Sequence, residues 1–323
     1  MFKTFYSFTQ LIKFSCFLAV CCLSIWSCKN KPTAKEDFDK YHKKRPLSPT
    51  IKSIKTYAST ADSTHIKPAE SLAQAEEYDS KGQKIKLTHY IGDSGAIDYI
   101  TTYQYDDKGN AIQTHSVFPF DHSESTEKNT YDNKNHVIKT EWTKSDGNYG
   151  THEYKFDSHG AMIQWDSYEK GHFMVTRLYP MIYDKDDHLI ESFAKETHGS
   201  KDTMVQGHEK YSYDSVNNLE AAKMVLYGDA VLEIVESQYD TSRNKILEIY
   251  YERDTSGKLK RNTRIMNVYN EYGEITSSTT FKDGKVQSVT ENKYDNYGHL
   301  IESSITEGGA IKKTRNVYEF YKQ

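Results

Sequence analysis

The 323-residue chain carries 42 Lys and Arg against 46 Asp and Glu, with a net charge of −4 and a pI near 6.4, so no basic stripe for nucleic acid follows from the totals. Hydrophobic residues make up 36%, and 26 Tyr stand beside 13 Phe and 3 Trp, a composition suited to a thin sheet whose covered face lies close to water. All four cysteines fall within the first 28 residues, so no disulfide can staple the remaining chain.

The N-terminus has the layout of a secretion signal. Lys3 and Lys13 supply the positive region, and Phe14 to Ile25 is an apolar run shorter than the ~20 residues a spanning helix needs. Leu23-Ser24-Ile25-Trp26-Ser27-Cys28 resembles the lipobox of bacterial lipoproteins, with an aliphatic at −3, a small residue at −1 and an acceptor Cys; Trp26 at −2 departs from the usual pattern. The resemblance implies a lipoprotein signal peptide over 1–27 and acylation of Cys28. Two or more acyl chains hold a protein on a membrane durably, at ~0.8 kcal/mol per buried methylene. Residues 28–50, with Pro32, Pro46, Pro49 and the basic run Lys43-Lys44-Arg45, are expected to form a flexible tether. Lys29 at +2 favours the outer membrane. The expected location is the bacterial cell envelope, with the membrane as partner through the N-terminal lipid.

From residue 51 onward one phrase recurs: Tyr-Asp-x-x-Gly followed by an aliphatic. Copies begin at Tyr78, Tyr105, Tyr131, Phe156, Tyr183, Tyr213, Tyr239, Tyr269 and Tyr294, with a truncated copy at Tyr318. Successive anchors lie 27, 26, 25, 27, 30, 26, 30, 25 and 24 residues apart, the mark of an array of supersecondary units. In the copy at Tyr105, Tyr103 and Tyr105 share a strand face, Asp106 opens a type I-like turn closed by Gly109, and the chain returns through Ile112 and Thr114. The third residue after the acid is Gly, Asn or Asp in eight of nine copies, the types that tolerate positive φ. Arg243 is the exception, and Asn244 beside it suggests a turn one residue longer.

A second set of turns, such as Asp93-Ser94-Gly95, Asp146-Gly147, Lys170-Gly171 and Asp283-Gly284, closes the opposite edge. Phe118 to Lys128 and Lys195 to Glu209 read as longer insertions. Each repeat is thus two strands and two turns, and about nine two-stranded repeats predict an all-β, extended antiparallel meander over 51–323 in a twisted or spiralling sheet. Tyr105-Asp106-x-x-Gly109-Asn110-x-Ile112 and Tyr294-Asp295-x-x-Gly298-His299-Leu300-Ile301 resemble the YD repeats of the Rhs family over about three quarters of the chain. Members of that family form spiralling sheets that can close into a shell around a toxin. Nine repeats are too few for such a shell, which leaves encapsulation unexpected here. MORN-like repeats are the nearest structural alternative.

Chemistry is sparse. Gly92-Asp93-Ser94-Gly95 resembles the Gly-Asp-Ser-Gly of trypsin-like proteases but falls where the spacing demands a turn, and no His motif accompanies it. The histidines form no zinc signature, and no metal or cofactor is expected. His136, His188 and His299 share the slot just after the Tyr-Asp turn. His198, Asp202 and His208 around the second insertion, and the aromatic faces of Trp142 and Trp165, are the candidate binding residues. The expected function is a non-enzymatic binding or scaffolding surface for a glycan or protein partner. The alternatives are a hydrolase with a groove near the insertions, and an accessory or immunity-type partner of an Rhs-type secretion or toxin system.

Overall fold

The computed structural model describes residues 42–61, 70–197, 204–214, 219–227, 230–253 and 257–322. The signal segment and Cys28 lie outside the described residues. The strands run β1 (Ile51–Ala61), β2 (Ser71–Tyr78), β3 (Lys84–Ile91), β4 (Ala96–Tyr105), β5 (Ala111–Phe118), β6 (Ser123–Tyr131) and β7 (Val137–Lys144). Next come β8 (Tyr149–Phe156), β9 (Met162–Glu169), β10 (His172–Leu178), β11 (Met181–Tyr183), β12 (Leu189–Thr197), β13 (Met204–Tyr213) and β14 (Glu220–Tyr227). The last are β15 (Ala230–Tyr239), β16 (Lys245–Arg253), β17 (Leu259–Tyr269), β18 (Ile275–Lys282), β19 (Lys285–Tyr294), β20 (Leu300–Glu307) and β21 (Ala310–Phe320).

Neighbouring strands pair antiparallel in chain order, as the repeat predicts, but the sheet is not an open meander. It closes into a barrel. Strand β1, which carries no Tyr-Asp turn, pairs with β2 on one side (Ser53 opposite Glu77) and with β21 on the other (Lys55 opposite Val317). Closure removes both edges, whose unpaired amides and carbonyls would otherwise be exposed. The expectation of an open, twisted or spiralling meander therefore fails: β1 pairs on both sides, and in a single-layer barrel each strand needs only its two neighbours.

β10 and β11 form one stave. Pro180 has no N–H for the ladder and splits it, yet Tyr179 N–H donates to the Ile163 carbonyl (2.8 Å) and Phe193 N–H to the Pro180 carbonyl (2.9 Å), so pairing resumes at once. The 21 strands thus make 20 staves. At a strand spacing near 4.8 Å the circumference is about 95 Å and the width about 30 Å, before tilt widens it. Barrels of this order leave a lumen. Consistently, Val235 and Ile249, at 6% and 8% exposure, are the only buried large apolar side chains among the described residues, and none is fully buried.

The Tyr-Asp turns line one rim. In all of them but the one at Asp214, the carbonyl of the Asp (Asn270 in the eighth) accepts from the residue three on (Gly109 N–H to Asp106, 3.0 Å), and its N–H donates to the residue four on (Asp106 to Asn110, 2.9 Å). φ at the third residue is positive in every described turn, from 64° at Arg243 to 93° at Gly298. Arg243 thus adopts the left-handed conformation itself, and its turn has the ordinary length. The longer turn is at Asp214, whose N–H donates to Leu219, five residues on. The motif aliphatic (Ile85, Ile112, Ile138, Ile190) is the extra residue of a β-bulge, which is why register shifts just before each Tyr.

The described part of the residues expected to form a tether lies along this rim. His42 Nε2 meets Asn244 Oδ1 at 2.7 Å, Lys43 N–H donates to the Glu271 carbonyl, and Ser48 Oγ meets His299 Nε2 at 2.9 Å. Arg45 donates twice to Glu274 (2.8 and 2.6 Å) and once to the Asp295 carbonyl (2.8 Å), with its guanidinium 4.0 Å from the Tyr272 ring centre. Tyr321 N–H donates to the Thr50 carbonyl (2.9 Å), so the seam between β21 and β1 is a hairpin lacking its covalent turn.

Candidate functional site

The two barrel faces differ in kind. One carries exposed charges, among them Lys128, Glu141, Glu153, Lys155, Glu236 and Lys293. The other carries the Tyr of each turn and its face-mates; burial is the leading cause raising the phenols of Tyr103, Tyr213, Tyr239, Tyr269 and Tyr318. Tyr183 is pushed up to about 12 by burial and then by Asp157. Alternation along each strand puts the charged set outside and the aromatic set on the lumen wall.

The rim fixes this wall. Tyr105 OH donates to the Lys84 carbonyl (2.7 Å), Tyr239 to Glu220 (3.0 Å) and Tyr269 to Lys245 (2.9 Å), in each case reaching the preceding return strand. Asn129, Asn267, Asn292 and Asn316, two residues before the Tyr, donate to the same carbonyl as their Tyr does. The slot four after the Asp then caps it: His136, His188 and His299 Nδ1 lie 3.0, 3.0 and 2.8 Å from the second carboxylate oxygen. Each of these rings stacks on the aromatic of the next repeat, Phe156, Tyr213 and Tyr318, at 4.6, 4.8 and 4.8 Å. At the eighth turn donor and acceptor are exchanged: Asn270 Nδ2 donates to Glu274 Oε2 (2.7 Å), leaving a carboxylate for Arg45.

These bonds set the turn carboxyls. The Asn110 side-chain amide, then backbone amides, hold Asp106 below its ordinary range, and the His188 amide leads at Asp184. At Asp132 and Asp295 burial pulls upward, and the bonds from His136 and His299 outweigh it. Asp184, Asp186 and His188 place three ligand atoms within 4.8 Å of one another. The same Asp–His pair recurs at Asp132 and Asp295 as turn capping, and it has that role here.

A distinct feature lies on the lumen wall of β7 to β12. Trp142, His152, Trp165, Arg177 and Glu196 form a diagonal across five neighbouring strands. Trp142 lies over Gly150, where an added Cβ would collide with the indole and with the Tyr168 carbonyl; a strand glycine is what lets the ring lie flat. His152 and Trp165 ring centres are 5.1 Å apart, and the Arg177 guanidinium sits 4.9 Å from the Trp165 ring centre. Arg177 Nε donates to Glu196 Oε2 at 2.7 Å. Burial lowers the His152 pKa, keeping the ring neutral near pH 7. Trp142 Nε1 and His152 Nδ1 are buried without a hydrogen-bond partner.

Of the residues singled out in the sequence, Trp142 and Trp165 thus come together on the wall. His208 is on the outer face, stacked on Phe193 (4.3 Å) and bonded to Glu191 (2.5 Å). His198 and Asp202 lie outside the described residues. Phe118 to Lys128 is no long insertion: β5 and β6 consume most of it, leaving a four-residue tip with Phe120 87% exposed. Ser94 sits in a turn, its hydroxyl donating to the Ile91 carbonyl (2.6 Å). His152, Arg177, Glu196 and the Arg45–Glu274 pair were not legible as functional. The signals were a glycine inside a strand pattern at Gly150 and the reversed pair Asn270/Glu274.

A family model described as a protein of unknown function (DUF2963) matches residues 71–116, a minority of the chain. No curated protein sequence matches. Among solved structures, the TcdB2-TccC3 crystal structure is similar at 13% identity and a TM-score of 0.36, over 80% of this chain. This chain spans only 15% of that one's length. A porin-like protein from Bacteroides uniformis is similar at 12% identity and a TM-score of 0.36, over 84% of this chain and 98% of that one. A β-barrel-like DUF1849 protein from Brucella abortus has 8% identity and a TM-score of 0.19.

Proposed function

We propose that this chain is a lipid-anchored, non-enzymatic barrel of the bacterial cell envelope that binds glycan on its lumen wall. The observation that carries the reading is the Trp142–His152–Trp165–Arg177–Glu196 diagonal on the inner wall of a barrel in which, among the described residues, no side chain is fully buried. Flat indole faces suit the C–H faces of pyranose rings, and an Arg–carboxylate pair beside them offers donors and acceptors to ring hydroxyls. The wall is preformed, since Gly150 and the Arg177 contact fix both indoles before any ligand arrives.

The charged outer face supports a barrel that stands off the bilayer, because a spanning barrel needs an outward apolar band ~25 Å tall. Attachment then falls to Cys28. Titration calorimetry against soluble polysaccharides and cell-wall fragments tests the binding claim. A W165A or R177Q variant with unchanged melting temperature is expected to lose on the order of tenfold in affinity. Binding that survives both substitutions, or a full panel without binding, refutes it.

A further inference from the structure

We infer that the segment His42–Thr50 is a latch that holds the Tyr-Asp rim toward the lipid surface, so that the opposite mouth of the barrel faces away as the entrance to the lumen. The inference deepens the proposed function and rests on acylation of Cys28.

The docked segment takes its contacts in chain order. His42 reaches the turn at Asp240, Lys43 the turn at Asn270, Arg45 that turn and the one at Asp295, and Ser48 the slot of the latter. A solvated basic linker would not show this march. Arg45 is its centre: both Arg45 and Glu274 are mostly covered, with side-chain exposures of 16% and 20%. Gly298 at φ 93° opens the space, since a Cβ there would meet Glu274 Oε1 at 2.7 Å and Arg45 Cδ at 2.9 Å.

The consequence is geometric. If the whole segment from Cys28 to Thr50 were free, the barrel would tumble on its lipid. With His42 fixed, only 14 residue steps separate the acylated Cys from the rim. The staves are 8–11 residues long for the most part, which sets the far mouth some 25–35 Å beyond the rim. The partner of the rim is therefore the headgroup surface, and ligand enters at the hairpins of the other end.

The test uses the full acylated chain in phosphatidylethanolamine/phosphatidylglycerol vesicles. A thiol-reactive donor is placed at T241C on the rim or at E307C at the far mouth; both positions are exposed, and acylated Cys28 has no free thiol to compete. Energy transfer to an acceptor-labelled headgroup is expected to be several-fold greater from the rim. R45A, with E274Q as a second variant of unchanged circular dichroism, is expected to bring the two efficiencies together. Equal transfer from both positions in the Arg45 chain, or asymmetry that persists in both variants, overturns the latch while leaving the anchor standing. Failure of the chain to partition into vesicles overturns the anchor and the latch together.

Discussion

Replacing single rim tyrosines by Phe gives a graded test of the turn architecture. In Y269F the Lys245 carbonyl keeps the Asn267 side-chain bond (3.0 Å) after losing the phenol. In Y239F the Glu220 carbonyl loses the one side-chain donor it has among the described residues. A hydrogen bond lost with its acceptor still satisfied costs about 0.5 kcal/mol, whereas an acceptor stranded in a partly buried rim costs nearer ~2 kcal/mol. For a domain of this size those values correspond to melting-temperature drops of about 1–2 °C and ~4–8 °C. Adding N267A to Y269F is expected to bring the double variant to the Y239F level, a coupling that a double-mutant cycle reads directly. Differential scanning calorimetry at neutral pH provides the measurement. Equal losses in Y239F and Y269F, or strict additivity of N267A and Y269F, would refute the shared-acceptor account. Phe156, which already stands in the Tyr column, shows that the ring alone can fill the slot.

Acid should loosen the rim through its carboxyls. Asp106, Asp132, Asp184 and Asp295 are all depressed in the fold, so their stabilisation is fully present above the unfolded value of about 3.9 and is lost as pH falls through the lower folded values. In H152Q, which removes the histidine whose pKa burial lowers, the melting temperature is expected to hold from pH 7 to 5 and to fall below ~4, whereas the native chain begins to lose stability as pH falls below the ordinary histidine value of about 6.5; a decline of H152Q that starts near pH 6 contradicts the carboxylate account. G150A is expected to destabilise by about 1–3 kcal/mol in chemical denaturation, because the new methyl meets both the Trp142 ring and a backbone carbonyl. I249A, at 8% exposure, should cost ~2–4 kcal/mol, while I112A, at a bulge and 37% exposed, should cost under about 1 kcal/mol; the reverse order would contradict the bulge assignment.

The local grammar of the fold was legible because each turn is specified within six residues. The Asp side chain accepts from residues two and four on, and the third residue must enter positive φ. Arg243 misled because a capped turn can force an unfavourable residue into that conformation. Closure was not legible. It depends on β1, whose Ile51–Ala61 has ordinary alternation and no turn phrase, finding β21 some 260 residues away. Lys43 and Arg45 read as a solvated basic run because their partners, Glu271 and Glu274, are likewise remote in sequence. The aromatic diagonal was half visible: Trp142 and Trp165 stand out by residue type, but their shared face follows only from the registers of β7, β8 and β9.

The central claim is that the ribbon meets itself. Nitroxide labels at K55C and V317C, outward-facing partners across the β1–β21 seam, report it by pulsed dipolar spectroscopy. The closed barrel gives a narrow distribution below about 20 Å. An open sheet would separate the same positions by nineteen strand spacings, about 90 Å, and a distribution at or beyond the long limit of the method would contradict the account.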